Sequence, residues 1–214
     1  MTTDEKDREI QRLMDLGSRF IWTRYNVRTL EPYGIMEGRV NKLRKDYYEF
    51  LDGRYFLDIG SAQGRHSILF AEKAEVVTSL EPVIDSRLIH LYTLQRHNIV
   101  NNLVQRQTFN SFYSEDYLYD RIYIGNCIHN LFIDDGCTWT FVEKLAKIAT
   151  DLVLFEGPRC SECKSIRRKK AIADNLKKFS YKDFMTEVKK YFTVESREKT
   201  FYDKEREFLL LRKK

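Results

Sequence analysis

Apolar residues recur at three- and four-residue spacings through the first fifty positions: Ile10, Leu13, Met14 and Leu16 in one stretch, Val40, Leu43, Tyr47 and Phe50 in a second. That period predicts amphipathic helices. Between them the run from Glu31 to Gly38 holds one of three prolines and two of nine glycines, which marks a loop between helices. From residue 54 the pattern changes to short apolar runs alternating with amphipathic ones: RYFLDIG, HSILFAEKA, EVVTSLEP, then a helix through Leu88, Leu91, Tyr92 and Gln95. Strands are predicted near Gln105 to Phe109, at Asp120 to Gly125 and at Asp151 to Phe155, with a helix from Trp139 to Ala149 before the last of these. Such alternation implies βαβ units and a parallel sheet. The runs Tyr191 to Lys199 and Glu207 to Arg212 leave no room for a crossover helix and predict an antiparallel hairpin. The expected organisation is a helical cap over residues 1–53 followed by an α/β core over residues 54–214.

Composition fits that picture. A chain of 214 residues suits one core with an appended cap, and 43% hydrophobic with 32% charged residues gives a large interior under a charged surface. The net charge of +5 arises from 37 basic and 32 acidic residues mixed along the chain, a solvated surface more than a dedicated polyanion binder. The one basic concentration is Lys164 to Lys170, with Lys177 and Lys178 beyond it. The charged start of the chain and the lack of a long apolar stretch imply a cytoplasmic protein with no membrane partner. Cys127, Cys137, Cys160 and Cys163 suit a reducing compartment. Cys160 and Cys163 have the spacing of half a zinc site, but no second pair matches them, so no metal is expected.

The sharpest chemical signal is FLDIGSAQG, residues 56–64, a buried strand that ends in an acid and turns through small residues into a helix. Gly60 and Gly64 permit backbone angles and close approach that a side chain would block, so a ligand can lie against the turn. Asp58 is placed to orient either the turn or a ligand amino group. Glu81 ends the next strand, 23 positions after Asp58, where a doubly wound sheet sets a carboxylate beside ribose hydroxyls.

FLDIGSAQG followed by SLEP resembles the first two motifs of the class I S-adenosylmethionine-dependent methyltransferases, with Ala62 where the middle glycine of the motif is common. The resemblance implies a Rossmann-like sheet of seven strands, five parallel and the last two a hairpin, with the seventh inserted antiparallel between its neighbours. It also implies S-adenosylmethionine as cofactor, held by Asp58, Gly60, Ser61, Ala62, Gly64 and Glu81, with Asn110 near the adenine or else in an ordinary turn. Arg65 and His66 open the following helix, either toward the ligand carboxylate or toward solvent.

The stretch Ile124 to Phe132 resembles the family region that lines both methyl donor and acceptor, which brings in Asn126 and His129. His129 suits a base that takes a hydroxyl proton, a holder of an anionic acceptor, or a loop-closing hydrogen bond. Asn126 lacks the Pro-Pro-aromatic sequence that follows it in enzymes acting on adenine or amide nitrogen. Glu156 ends the fifth predicted strand, as a substrate contact or a turn cap. Trp22, Arg24, Tyr25, Arg28, Tyr33 and Arg39 in the cap bias the acceptor toward an anion. A looser similarity to the methyltransferase part of enzymes that terminate bacterial surface polysaccharides keeps a sugar acceptor in view. The expected activity is therefore O-methylation of a small-molecule, sugar or phosphorylated acceptor. The alternatives are an RNA methyltransferase using the basic segment 164–178, and a non-catalytic nucleotide-binding partner subunit.

Overall fold

A computed structural model describes residues 2–16, 24–158, 180–203 and 206–214. The N-terminal part holds α1 (Thr3–Leu16) and α2 (Ile35–Asp46). There follow β1 (Tyr55–Ile59), α3 (Arg65–Ala71), β2 (Val76–Leu80), α4 (Ile84–Arg96), β3 (Asn102–Gln105) and α5 (Phe109–Phe112). The chain continues with β4 (Tyr119–Gly125), α6 (Ile128–Asp134), α7 (Thr140–Ile148) and β5 (Ala149–Pro158), then α8 (Tyr181–Tyr191), β6 (Phe192–Lys199) and β7 (Arg206–Lys213). Trp22, Cys160, Cys163 and the basic residues Lys164 to Lys170, Lys177 and Lys178 lie outside the described residues.

The strands form one sheet of seven in the order β3-β2-β1-β4-β5-β7-β6. β1 to β5 run parallel. β7 is antiparallel to both its neighbours and lies between β5 and β6, as the family resemblance implied. The chain winds outward from β1 to β3 and then returns to β4 beside β1. That reversal opens a crevice at the carboxyl ends of β1 and β4.

Strand alternation divides the core between the two faces. Leu57, Ile59, Ile122, Ile124, Val153 and Phe155 pack with Phe132, Phe141, Leu145 and Phe184 from α6, α7 and α8. Phe56, Tyr123, Leu152, Leu154 and Phe208 face the other way, against Met36, Val40 and Leu43 of α2 and Leu69 and Phe70 of α3. α2 is thus part of the cluster that covers the sheet. Asp58 and Glu156 have the parity of this second face.

α1 begins with a capping box, in which Thr2 N–H donates to Glu5 Oε2 at 2.7 Å and Glu5 N–H to Thr2 Oγ1 at 3.3 Å. It docks on α4 through buried Asp7, which accepts from Tyr92 Oη at 2.7 Å and pairs with Arg96 at 3.3 Å. Met14, Tyr25, Val27 and Ile89 close a small apolar cluster there.

One predicted element differs. The strand expected near Gln105 to Phe109 ends at Gln105, and Phe109–Phe112 is helical. Thr108 caps that turn by accepting from Ser111 N–H at 3.4 Å, a local bond that competes with strand pairing. Among the described residues no helix is long and apolar enough to cross a membrane.

Candidate functional site

The crevice is a cleft of about 360 Å³, within the size range of small-molecule sites. Its wall is built by the turns that follow β1, β2, β3 and β4, with one residue, Arg39, from α2.

The turn after β1 is set by its backbone. Gly60 and Ser61 N–H both reach Leu80 C=O, at 2.9 and 3.1 Å, and Gly64 N–H reaches Ser61 C=O at 2.8 Å. Gly60, Ala62 and Gly64 have φ of 78°, 51° and 86°. Ala62 therefore holds the left-handed conformation that its glycine counterpart would adopt without strain. A side chain at Gly64 would meet the His90 ring at 2.0 Å, and one at Gly60 would meet Cys127 Sγ at 2.9 Å. Gly64 is thus a packing requirement, and Gly60 keeps open the floor that faces the cleft.

Glu81 lines the cleft and joins two turns: its Oε2 accepts from Ala62 N–H at 2.8 Å and its Oε1 from Val83 N–H at 2.7 Å. Asp58 sits beneath the turn, outside the cleft wall. It accepts a hydrogen bond from Ser67 of α3, its Oδ1 has no partner, and burial pushes its pKa up to about 7 against the pull of Ser67 and Arg39. Ser61 and His66 line the cleft, with Ser61 Oγ and His66 Nε2 buried and unpartnered. Burial, helped by the charges of Arg39 and Arg65, holds His66 neutral, well below the usual imidazole range.

Arg39 is 2% exposed and donates to Glu156 Oε2 at 2.6 Å and to Tyr123 Oη at 3.1 Å. Burial alone would lower its pKa, but the Glu156 carboxylate more than offsets that and raises it. Glu156 also accepts from Tyr123 and from Tyr202 in the β6–β7 connection. It is fully buried and outside the cleft wall, so its partner is Arg39.

After β4, Asn126 lines the cleft with φ of 62°. Arg206, 3% exposed, donates to Asn126 Oδ1. Arginine only donates, so the Asn126 amide nitrogen faces away from it. Cys127, Asn130, Leu131 and Asp134 of the following helix line the cleft, whereas His129 is buried outside the wall. Asn110 is also outside it, and its Oδ1 accepts from Lys144 Nζ at 2.8 Å. Gln107, Thr108 and Phe109 take the wall position beside it.

Of the residues singled out in the sequence, the cleft wall therefore gathers Gly60, Ser61, Ala62, Glu81 and Asn126, with His66 and Arg39. Asp58, Gly64, Asn110 and His129 stand behind it. Sequence reasoning missed Ser86, Gln107, Asp134 and Arg206. For Asp134 a signal existed, its helical spacing of four from Asn130. Among the described residues no group of three or more His, Cys, Asp or Glu side chains is placed to hold a metal ion.

No family model matches the chain. A search of curated proteins finds no similar sequence. Solved structures do match. The N-methyltransferase NodS from Bradyrhizobium japonicum WM9, in complex with S-adenosyl-L-homocysteine, superposes with a TM-score of 0.66 at 12% identity, covering 97% of each chain. An S-adenosylmethionine-dependent methyltransferase from Clostridium acetobutylicum ATCC 824 gives 0.64 at 8% identity over 82% of this chain and 91% of that one. EvdMO1 gives 0.63 at 11% identity over 96% of this chain, which spans only 47% of the EvdMO1 chain. At these identities the likeness is one of fold, and the chain has the Rossmann-like fold of the class I S-adenosylmethionine-dependent methyltransferases.

Proposed function

We propose that the chain binds S-adenosylmethionine in this cleft and transfers its methyl group to the oxygen of a small-molecule, sugar or phosphorylated acceptor. The observation that carries the reading is the junction of Glu81 with the left-handed turn, at the one point of the sheet where the winding reverses. The residues present fit the donor: the Glu81 carboxylate on the wall, an unpartnered Ser61 hydroxyl, a floor kept open at Gly60, and the apolar side chains of Leu80, Pro82, Val83, Phe109 and Leu131 along the same wall.

When bound, the donor supplies an electrophilic methyl group on a sulfonium and leaves as a neutral thioether. Glu81 holds ribose hydroxyls, and the backbone of Gly60 to Ala62 packs against the amino-acid part. Asn126, its oxygen fixed by Arg206, offers amide hydrogens to an acceptor oxygen, which favours oxygen over nitrogen as the nucleophile. His66 is the neutral imidazole in the wall, and its unpartnered Nε2 orients an attacking hydroxyl, whose proton passes to solvent because burial and the Arg39 and Arg65 charges disfavour an imidazolium here. The protein's main contribution is orientation and close approach. His129, seated behind the wall, acts on the reaction by positioning the turn after β4.

The test is transfer of labelled methyl from S-adenosylmethionine to a panel of phosphorylated compounds, sugars and RNA. On an accepted hydroxyl, His66→Ala should lower kcat about tenfold, the scale of one lost hydrogen bond. His129→Ala should alter kcat less than threefold. The reverse ranking would give the acceptor contact to His129, and methylation confined to amines would remove the oxygen assignment.

A further inference from the structure

The turn after β1 is held from outside by a residue far from it in sequence. Tyr25 is fully buried, and its Oη donates to the main-chain carbonyl of Gln63 at 2.9 Å. The same Oη lies 2.8 Å from Thr93 Oγ1. A carbonyl can only accept, so the bond to Gln63 uses the phenol proton, and the single proton of Thr93 Oγ1 is shared between Tyr25 and the Ile89 carbonyl 2.9 Å away. The Gln63 carbonyl sits between Ala62 and Gly64, the two left-handed residues at φ of 51° and 86°. It is therefore the group whose fixation decides whether this disfavoured stretch keeps its shape.

Tyr25 is itself anchored. Residues 24–33 double back on themselves, with Asn26 N–H on Glu31 C=O at 2.8 Å. Gln11 of α1 accepts from Val27 N–H at 2.9 Å and donates to Tyr25 C=O at 3.2 Å, while His97 Nε2 stands 2.7 Å from Val27 C=O. α1 in turn rests on α4 through Asp7 and Tyr92. A continuous run of hydrogen bonds thus leads from the N-terminal helix to the floor of the cleft.

We propose that Tyr25 is a positioning residue of the donor site: its hydroxyl fixes the Gln63 carbonyl, and through it the docking of residues 24–33 and ligand binding in the cleft are coupled. The proposal rests on the reading that the cleft binds an adenosyl donor. Coupling of this kind is reciprocal, so a ligand that needs the ordered turn must also tighten the docked segment.

Tyr25→Phe keeps the buried ring and removes only the hydroxyl. Tyr92→Phe removes a hydroxyl from the same docking interface without touching the turn, and Thr93→Val removes the hydroxyl beside Tyr25. Titrated with S-adenosylhomocysteine, Tyr25→Phe should bind at least tenfold more weakly than the wild type, Thr93→Val by an intermediate factor, and Tyr92→Phe within twofold. Hydrogen exchange supplies the second readout. The ligand should slow exchange at residues 24–33 in the wild type, and that slowing should be lost in Tyr25→Phe. Equal losses in Tyr25→Phe and Tyr92→Phe, or binding by Tyr25→Phe within twofold of the wild type, would overturn the proposal. If the wild type itself fails to bind S-adenosylhomocysteine, the donor reading falls, and positioning is judged on the free protein. There faster exchange at residues 60–64 in Tyr25→Phe but not in Tyr92→Phe sustains it, and equal exchange ends it.

Discussion

The turn after β1 is fixed through its backbone, whereas the turn after β4 is fixed through a side chain. In the first, Leu80 C=O, Glu81 and Tyr25 each grip a main-chain group between Gly60 and Gly64. In the second, Asn126 N–H meets Glu156 C=O at 2.5 Å, but the cleft-facing amide is aimed by Arg206 from the other end of the chain. A backbone-fixed turn suits a ligand that never changes, because it leaves few residue choices open. A side-chain-fixed turn can be re-aimed by one substitution, which would suit an acceptor-selecting role for this half of the cleft under the proposed function.

That contrast is exposed to test at Gly64. Alanine there must accept φ of 86° and a Cβ 2.0 Å from the His90 ring, so Gly64→Ala should cost about 3 kcal/mol or more. Gly136 has φ of 70° with open space around it, and Gly136→Ala should cost only about 1 kcal/mol. Denaturant midpoints compare the two. Equal losses would mean that the His90 contact contributes nothing and that the turn is less rigidly set than described.

The second test uses pH. The carboxyl of Asp58 is raised from 3.8 to about 7 by burial, so the folded state holds its proton more tightly than the unfolded chain does. Stability from this group is full at low pH, falls as pH rises through the interval between those two values, and is lowest above 7. Asp58→Asn keeps an oxygen for Ser67 and escapes the penalty. It should be more stable than the wild type by about 4 kcal/mol at pH 8, with the gain vanishing toward pH 4, as followed by thermal unfolding at each pH. His90 acts in the opposite sense: burial pushes it from 6.5 to about 3, so both proteins lose stability as pH falls below 6.5, and the effect cancels in the difference. A gain independent of pH would show that Asp58 is ionised in the fold.

The smallest effect is expected at Ala62, where φ is 51°. Ala62→Gly relieves the left-handed strain and should raise stability by about 1 kcal/mol, less the added chain entropy of glycine. A fall in the urea midpoint would mean that the turn gains more from the alanine methyl than it loses in strain.

The same contrast explains what could be read from the sequence. Residues 56–64 and Glu81 were legible because glycine spacing and a strand-ending acid report constraints on the backbone, which are local. The parallel strands and the closing hairpin followed from hydrophobic runs and from the missing crossover before the last strand, whereas the insertion of β7 between its neighbours came only from the family resemblance of residues 56–64 and Glu81. Asn110 and His129 were legible as positions but not as directions. On a short helix, one step of about 100° decides whether a side chain enters the cleft, and that angle depends on how α5 and α6 pack. Thus on α6 Asn130 reaches the wall while its neighbour His129 lies outside it. Arg206 was hidden for another reason, since its partner Asn126 lies 80 positions away and only the antiparallel return of β7 brings the two together. The capping role of Thr108, which converts an expected strand into α5, had a local signature in Thr108 and Ser111 that the apolar run of Phe109 obscured.

The most direct test of the central claim is isothermal titration of the protein with S-adenosylhomocysteine and with NAD, repeated with Glu81→Ala. The account predicts one S-adenosylhomocysteine site per chain, no NAD binding, and at least a tenfold loss of affinity in Glu81→Ala, which corresponds to about 1.4 kcal/mol or more. Absence of S-adenosylhomocysteine binding in the wild type, or affinity unchanged in Glu81→Ala, would contradict it.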